Sequence, residues 1–178
     1  VVIDDRGILI KKQAGGLFKN VFTHIFRNAV DHGIEIGDER IRLGKNPVGC
    51  IRVEASIERR SHNGRVEQGR GLCLRVRDDG RGLAIRKIRE RALDMNLINA
   101  TNKFTEYQIA QLIFSSGLST ARTTTQLSGR GVGMNAVASF LNEEGGFAEV
   151  HLLDSNEGAE FREFEIVLNF TDKVIQLF

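Results

Sequence analysis

Three glycines at alternate positions, Gly129, Gly131 and Gly133, run directly into an apolar helical pattern that begins at Met134. Alternate glycines let the backbone approach a phosphate closely, and the following helix directs free N–H groups towards it. The segment therefore predicts an anion-binding site, although glycine clusters also form ordinary turns. A dinucleotide fingerprint would need glycine in place of Met134, and no Gly-Lys-Ser/Thr stands at P-loop spacing.

A second group of residues whose side chains can bind phosphate or a metal ion lies on one side of a predicted helix, Leu17 to His32. This side carries two imidazoles, a guanidinium, an amide and a carboxylate: His24, Arg27, Asn28, Asp31 and His32. Amide and carboxylate oxygens suit Mg²⁺, while Arg and His donate hydrogen bonds to phosphate. The pattern indicates a phosphate and metal site, and the alternative is a solvent-facing side with incidental histidines.

A third motif, Asp78 with Gly80 and Gly82, ends an alternating strand. A carboxylate held there can accept a hydrogen bond from an exocyclic amine, and the glycines would leave room for a flat ring. These features suit adenine. An ordinary Asp-Gly turn is the alternative for this motif taken alone.

The elements that must position these motifs alternate irregularly along the chain. Hydrophobic periodicity and turn residues predict a hairpin over Val1–Ile10 and a long hairpin whose strands, Cys50–Ile57 and Leu72–Val76, are joined by a polar loop. Further helices are expected near Ala84–Met95, Glu106–Phe114 and Met134–Asn142, strands at Phe147–Leu153 and Phe161–Phe170, and a mobile loop at Ser115–Arg130. Blocks of helices and hairpin strands predict an α+β sandwich with one mixed or antiparallel sheet.

Composition narrows the classes of function. The 178 residues fit one domain spanning residues 1–178, with 41% hydrophobic and 27% charged residues. The net charge of +2 is too small to indicate nucleic acid as a partner, and no apolar run reaches the length of a membrane span. We expect a cytoplasmic domain, and the absence of an initial Met suggests a piece of a longer protein.

Taken in order, the motifs resemble those of the GHKL superfamily (gyrase, Hsp90, histidine kinase, MutL). His24–Glu35 resembles the N-box of CheA-like chemotaxis histidine kinases almost residue for residue, and Arg77–Leu83 resembles the G1 box. Phe114–Ala121 followed by Ser128–Met134 resembles the ATP lid and G2 box. The resemblance implies a Bergerat-type ATP-binding fold, in which helices cover one face of a mixed sheet.

The resemblance also implies a role for each motif. Asn28 would ligate Mg²⁺, with His24, Arg27 and His32 beside the phosphate chain, and Asp78 would accept the adenine N6 hydrogen bond. The remaining residues implied to shape the ATP site are Asp31, Gly80, Gly82, Ser119, Thr120, Gly129, Arg130, Gly131, Gly133 and Met134. Of these, Ser119 and Thr120 would touch the γ-phosphate.

The implied activity is transfer of the γ-phosphate of Mg-ATP to a histidine on a separate phosphotransfer domain, and from there to a response regulator. Two alternatives stay open: a GHKL nucleotide switch without kinase turnover, and a gyrase-type ATPase, which would need glutamate where His24 stands. One departure bears on the base pocket. Phe161-Arg162 replaces the Gly-Thr that members commonly carry before the last strand, and Asn169 replaces a proline.

Overall fold

The computed structural model describes residues 1–62, 65–118 and 133–176, with the backbone alone at residues 60–62 and 65–68. None of the helices in these ranges is long and apolar enough to cross a membrane. The elements are β1 (Val2–Asp4), α1 (Gly15–Asn28), α2 (Gly37–Arg42), β2 (Ile51–His62), β3 (Arg65–Asp78), α3 (Ile85–Asp94), α4 (Glu106–Gln111), α5 (Met134–Glu143), β4 (Phe147–Leu152) and β5 (Phe164–Asn169).

The strands form one mixed sheet in the order β1-β2-β3-β5-β4. β1 runs parallel to β2, and the β2–β3, β3–β5 and β4–β5 pairs are antiparallel. The α+β class and the mixed sheet are therefore confirmed.

The main core lies between the sheet and helices α1 and α5. Val53, Leu74 and Leu168 project from the strands onto Val21 and Ile25 of α1, and Val137 and Leu141 of α5 complete this buried cluster. Burial of one such side chain contributes about 1.5–3 kcal/mol. Many strand residues with the opposite side-chain direction are charged, as at Arg75, which pairs with Glu58 and Glu165. The sheet thus has an apolar helix-covered face and a charged face.

The predicted hairpin over Val1–Ile10 is wrong. Its turn is present, with the Gly7 amide donating to Asp5 Oδ1 at 2.9 Å, but the segments on either side do not pair with each other. Val2–Asp4 pairs with Arg52–Glu54 of β2, and Ile10 bridges to Ile175. Local turn chemistry was predictable, whereas the choice of partner strand was made by tertiary contacts.

The first helix has the predicted position but ends in a different geometry. After Asn28 the chain continues as a π-turn over Ala29–Gly33, in which the Ile34 amide donates to the Ala29 carbonyl at 2.7 Å. This wider turn abandons the spacing of 100° per residue used in the prediction. Val30 was expected on the apolar face and is instead 62% exposed.

The β2–β3 hairpin is confirmed, but its strands are longer than predicted. The residues expected to form a polar loop continue the antiparallel ladder as far as the His62–Arg65 pair. Helix α2 (Gly37–Arg42) was not predicted. Of the expected mobile loop, residues 119–130 lie outside the described residues.

One prediction concerns the outer edge of β4. The Gln111 side chain donates from Nε2 to the Val150 carbonyl at 2.7 Å and accepts from the Val150 amide at 3.0 Å, so it replaces a neighbouring strand. Gln111→Ala should leave both groups unpaired and lower the free energy of unfolding by roughly 1–3 kcal/mol. Urea unfolding measures this loss, and hydrogen exchange at the Val150 amide should accelerate. Gln13→Ala, at an exposed glutamine, is the control and should change stability by less than about 0.5 kcal/mol.

Candidate functional site

The π-turn that ends the first helix contacts the turn over residues 78–83, which begins at Asp78. Asp78 Oδ1 accepts a hydrogen bond from the Gly80 amide at 2.9 Å, and the Arg81 amide donates to the Gly33 carbonyl at 2.9 Å. A Cβ placed on Gly33 would lie 3.2 Å from Asp78 Oδ1. Two motifs separated by about 40 residues in the sequence are therefore neighbours, as a shared site requires.

Asp78 is half-buried at the end of β3. Burial raises the pKa of this carboxyl above its ordinary value, and the negative charges of Asp79 and Glu35 act in the same direction. The hydrogen bond from the Gly80 amide and the charge of Lys45 oppose the rise in pKa without cancelling it. An ionised Asp78 is thus a strong acceptor that still lacks full compensation.

The two glycines of this turn are required by close backbone contacts. A Cβ on Gly80 would lie 2.3 Å from the Gly33 carbonyl oxygen. Gly82 has φ of +90°, and a Cβ there would lie 2.5 Å from the Arg162 carbonyl oxygen. The predicted reason for glycine was room for a flat ring, whereas the space at both positions is taken by the protein's own backbone.

A buried guanidinium supports one side of the turn through hydrogen bonds. The sequence analysis did not identify this residue. Arg40 of α2 is 1% exposed. It donates to Asp79 Oδ2 at 2.8 Å, to Glu35 Oε2 at 3.1 Å and to the Asn46 carbonyl at 2.6 Å. Asp79 Oδ1 in turn accepts from the Cys50 amide at 2.8 Å. Nothing in the sequence marks Arg40 as buried, because isolated charges in a polar stretch are ordinarily exposed.

Lys45 completes this charged cluster. Its Nζ donates to Glu35 Oε1 at 2.7 Å and to the Gly80 carbonyl at 2.8 Å. Burial acts to raise the pKa of Glu35, but hydrogen bonds and the charges of Lys45 and Arg40 outweigh it and hold this pKa below its ordinary value. The cluster thereby joins the end of the first helix, α2 and the turn at Asp78 with paired charges.

The helix residues predicted to face phosphate differ in exposure. His24 and Asn28 are half-buried, and the His24 ring stacks on Phe140 of α5 with 6.0 Å between ring centroids. Arg27, Asp31 and His32 are exposed. The stacking contact places the polar side of α1 beside α5, the helix that follows the glycine-rich segment.

Part of the glycine-rich motif can be placed. Met134 begins α5, which confirms the predicted helix, and Gly133 is its N-cap residue with an extended backbone. The Gly133 amide donates to Asn135 Oδ1 at 3.2 Å. The predicted site residues Ser119, Thr120, Gly129, Arg130 and Gly131 lie outside the described residues.

Arg162 supports the other side of the turn. This residue stands where the resemblance led us to expect threonine. Its backbone pairs with Leu83, with the Leu83 amide donating to the Arg162 carbonyl at 2.8 Å and the reverse bond at 3.0 Å. Its side chain is directed to Asp154 and Glu106.

A cavity of about 300 Å³ adjoins the turn. Asp78, Gly80 and Gly82 line it together with Phe164 of β5, and the other described lining residues are Arg40, Lys45, Asn46, Arg77, Asp79 and Glu163. Both signs of charge are present in this lining, so the turn has an accessible polar side.

Comparison with known sequences identifies the family of this chain. Residues 17–172 match the family of histidine kinase-, DNA gyrase B-, and HSP90-like ATPases, and the chain belongs to that family. It is 39% identical over 124 residues to the chemotaxis protein CheA of Rhizobium meliloti (strain 1021), covering 70% of this chain and 15% of that protein. It is 38% identical over 128 residues to CheA of Salmonella typhimurium, covering 72% and 17%, and 42% identical over 124 residues to CheA of Cereibacter sphaeroides, covering 70% and 17%.

The resemblance to the GHKL superfamily is therefore confirmed, and with it the ATP-binding class of the domain. The matched region spans between 15% and 17% of the length of these three relatives. It corresponds to one part of much longer proteins.

The buried cluster predicts unequal effects for two similar ion pairs. Arg40→Met should lower the free energy of unfolding by about 3 kcal/mol, because it removes the ion pairs of Arg40 with Asp79 and with the buried Glu35, which keeps Lys45 as its one charged partner in this cluster. Arg77→Met is the control, since Arg77 meets Glu163 at 2.7 Å with both side chains at least half exposed, and should cost less than about 1 kcal/mol. Urea unfolding of both variants measures the difference, and equal small losses would contradict a supporting role for Arg40.

The raised pKa of Asp78 predicts a gain in stability from its neutralisation. Since the folded pKa lies above the unfolded one, the ionised carboxylate costs stability, and this cost develops as pH rises through the interval between the two values. Asp78→Asn keeps an acceptor for the Gly80 amide and removes the charge. Its stability relative to the wild type should therefore increase between about pH 4 and pH 7 in ligand-free urea titrations. A relative stability that stays constant or falls over this range would contradict a raised pKa of Asp78 in the folded protein.

Proposed function

We propose that this chain is the catalytic, ATP-binding domain of a CheA-like histidine kinase in a two-component chemotaxis system. It would transfer the γ-phosphate of Mg-ATP to a histidine on a separate phosphotransfer domain, which passes it to a response regulator. A cytoplasmic location follows from this assignment. Neither nucleic acid nor lipid is needed for the reaction.

The observation that carries the proposal is the contact between the Asp78 turn and the end of the first helix. This contact brings Asp78, the proposed base acceptor, to the helix that carries Asn28 and His24. The family match and the similarity to CheA proteins supply the chemical class. Asp78 would accept the adenine amine, and its partly uncompensated charge would strengthen that hydrogen bond.

The donors on the first helix fit a magnesium ion held together with phosphate. No group of three or more His, Cys, Asp or Glu in the described part of the chain could hold a metal ion. Mg²⁺ commonly uses one or two protein oxygens together with waters and substrate phosphates, and the Asn28 amide offers one such oxygen. Asn28 would hold the ion, which when bound would neutralise phosphate charge.

The remaining groups would position the phosphates. His24, Arg27 and His32 offer donors along the phosphate chain, with Asp31 beside them on the π-turn. The glycine-rich segment, with Gly129, Arg130, Gly131 and Gly133, would wrap the phosphates and Met134 would begin the helix behind them, while Ser119 and Thr120 would meet the γ-phosphate. Phosphoryl transfer of this kind depends on alignment and charge stabilisation. The acceptor imidazole would come from the phosphotransfer domain.

The alternative of a nucleotide switch without turnover was motivated by Phe161-Arg162. The proposal is favoured over it because the Arg162 backbone holds Gly82 and Leu83 in a regular bridge, so the replacement keeps the turn in place. The two readings separate on one measurement. Addition of a phosphotransfer domain and Mg-ATP should yield phosphohistidine for a kinase and none for a switch.

We expect Asn28 and Asp78 to separate chemistry from base recognition. Asn28→Ala should lower phosphate transfer by at least about 100-fold, because it removes a charge-stabilising group, yet keep magnesium-free ADP binding within a few-fold of wild type. Asp78→Asn should weaken ADP binding by about 10-fold to 100-fold with or without magnesium, since it loses a charge-assisted hydrogen bond. Calorimetry and radioactive phosphate transfer measure the two effects.

Asn20→Ala, at an exposed position of the same helix, is the matched control and should change neither quantity. The isolated wild-type domain should not label itself from radioactive ATP. Strong acid-labile self-labelling, or normal transfer by Asn28→Ala, would contradict the assignment of the site.

A further inference from the structure

The side chain of Arg162 is committed to contacts away from the base-binding turn. The residue is 3% exposed. Its guanidinium donates from Nε to Asp154 Oδ1 at 2.7 Å and from Nη2 to the Asp154 carbonyl at 2.6 Å, and Nη1 meets the Glu106 carboxylate. Each nitrogen of the guanidinium therefore has a partner on the side of the residue that faces Asp154 and Glu106.

The backbone of the same residue is part of the turn's support. Arg162 and Leu83 exchange both backbone hydrogen bonds, and Gly82 packs so closely on the Arg162 carbonyl that a Cβ there would lie 2.5 Å from its oxygen. A shift of the residue 162 backbone would therefore move Gly82 and Leu83. Arg162 therefore links the two: its side chain belongs to the ion-pair network, and its backbone supports the turn.

The carboxylates that hold Arg162 are themselves fixed. Glu106 is the first residue of α4, and its other oxygen accepts from the Gly158 amide at 2.8 Å. Asp154 accepts from the Glu163 amide at 2.6 Å and from the Asn156 amide at 2.8 Å. A buried guanidinium with fixed, charged partners has few alternative positions, so the backbone at residue 162 is held in place.

We propose that Arg162 is a positioning residue for the nucleotide base, which fixes Gly82 and Leu83 through its backbone while Asp154 and Glu106 fix its side chain. Base affinity then depends on carboxylates that never touch the nucleotide. This inference rests on the proposed function, because it takes the Asp78 turn to be the base-binding element.

The test is the affinity for adenosine and for ADP without magnesium, measured by calorimetry at a temperature where circular dichroism shows every variant folded. Arg162→Met keeps an apolar stem and removes all the side chain's hydrogen bonds. It should weaken adenosine and ADP by the same factor, about 10-fold, because the change acts on the base and leaves phosphate contacts intact. A residue needed only for stability would lower the melting temperature and leave both affinities unchanged.

Glu106→Gln provides a second variant that keeps the side-chain volume and one of the two acceptor oxygens. It removes one charge from the network and should weaken adenosine binding by about 3-fold. Arg75→Met is the matched control, because Arg75 is a partly buried arginine that also pairs with two carboxylates, on the charged face of the sheet. Its adenosine affinity should stay within about two-fold of wild type.

Each outcome of these affinity measurements either supports or contradicts the positioning role of Arg162. If the wild type binds neither ligand, the proposed function fails and the role of Arg162 fails with it. If the wild type binds and folded Arg162→Met binds adenosine equally well, the proposed function stands and the positioning role is wrong. If Arg162→Met does not fold, Glu106→Gln decides, and unchanged adenosine affinity in that variant overturns the proposal.

Discussion

The architecture of the site depends on the pairing of the buried Arg40 guanidinium with Asp79 and Glu35. A guanidinium that is 1% exposed is tolerated only when its donors are satisfied, and here two carboxylates and two backbone carbonyls satisfy them. Asp79 directly follows Asp78, so the same ion pair that compensates the buried charge also fixes the residue next to the proposed base acceptor. Loss of that compensation would remove the ion pair that fixes Asp79 and would weaken the attachment of the turn to α2.

Arg162 holds the other end of the turn, and the two arginines differ in how they do so. Arg40 contacts the turn with its side chain, through Asp79, whereas Arg162 contacts it with its backbone and uses its side chain to reach Asp154 and Glu106. Glu35, Arg40 and Arg162 are the buried charged residues in the described part of the chain. Buried charge is therefore concentrated around the turn that carries Asp78, which itself remains incompletely compensated and available to a ligand.

Sequence reasoning succeeded where a motif and its local geometry coincide. The long helix, the strand that ends at Asp78 and the helix that begins at Met134 each carry a periodic pattern and a terminating residue, and all three are confirmed. It failed where geometry is set by distant contacts. No periodic signal in the sequence indicates three features: the partner of the first strand, the π-turn that exposes Val30, and the hydrogen bonds by which Arg40 supports the turn.

The sequence by itself determined the family and the α+β class, and it supplied the residues that we propose to bind a base or a phosphate, because side-chain chemistry and short-range spacing can be read from it directly. Only the tertiary structure decided why Gly80 and Gly82 are glycines and what Arg162 does. Glycine is needed at these two positions because the backbone of Gly33 or Arg162 approaches closely. The role of an arginine depends on whether carboxylates from distant segments pair with it in the folded protein. Such contacts join segments far apart in the chain, so they are fixed only when the whole sheet and its helices assemble.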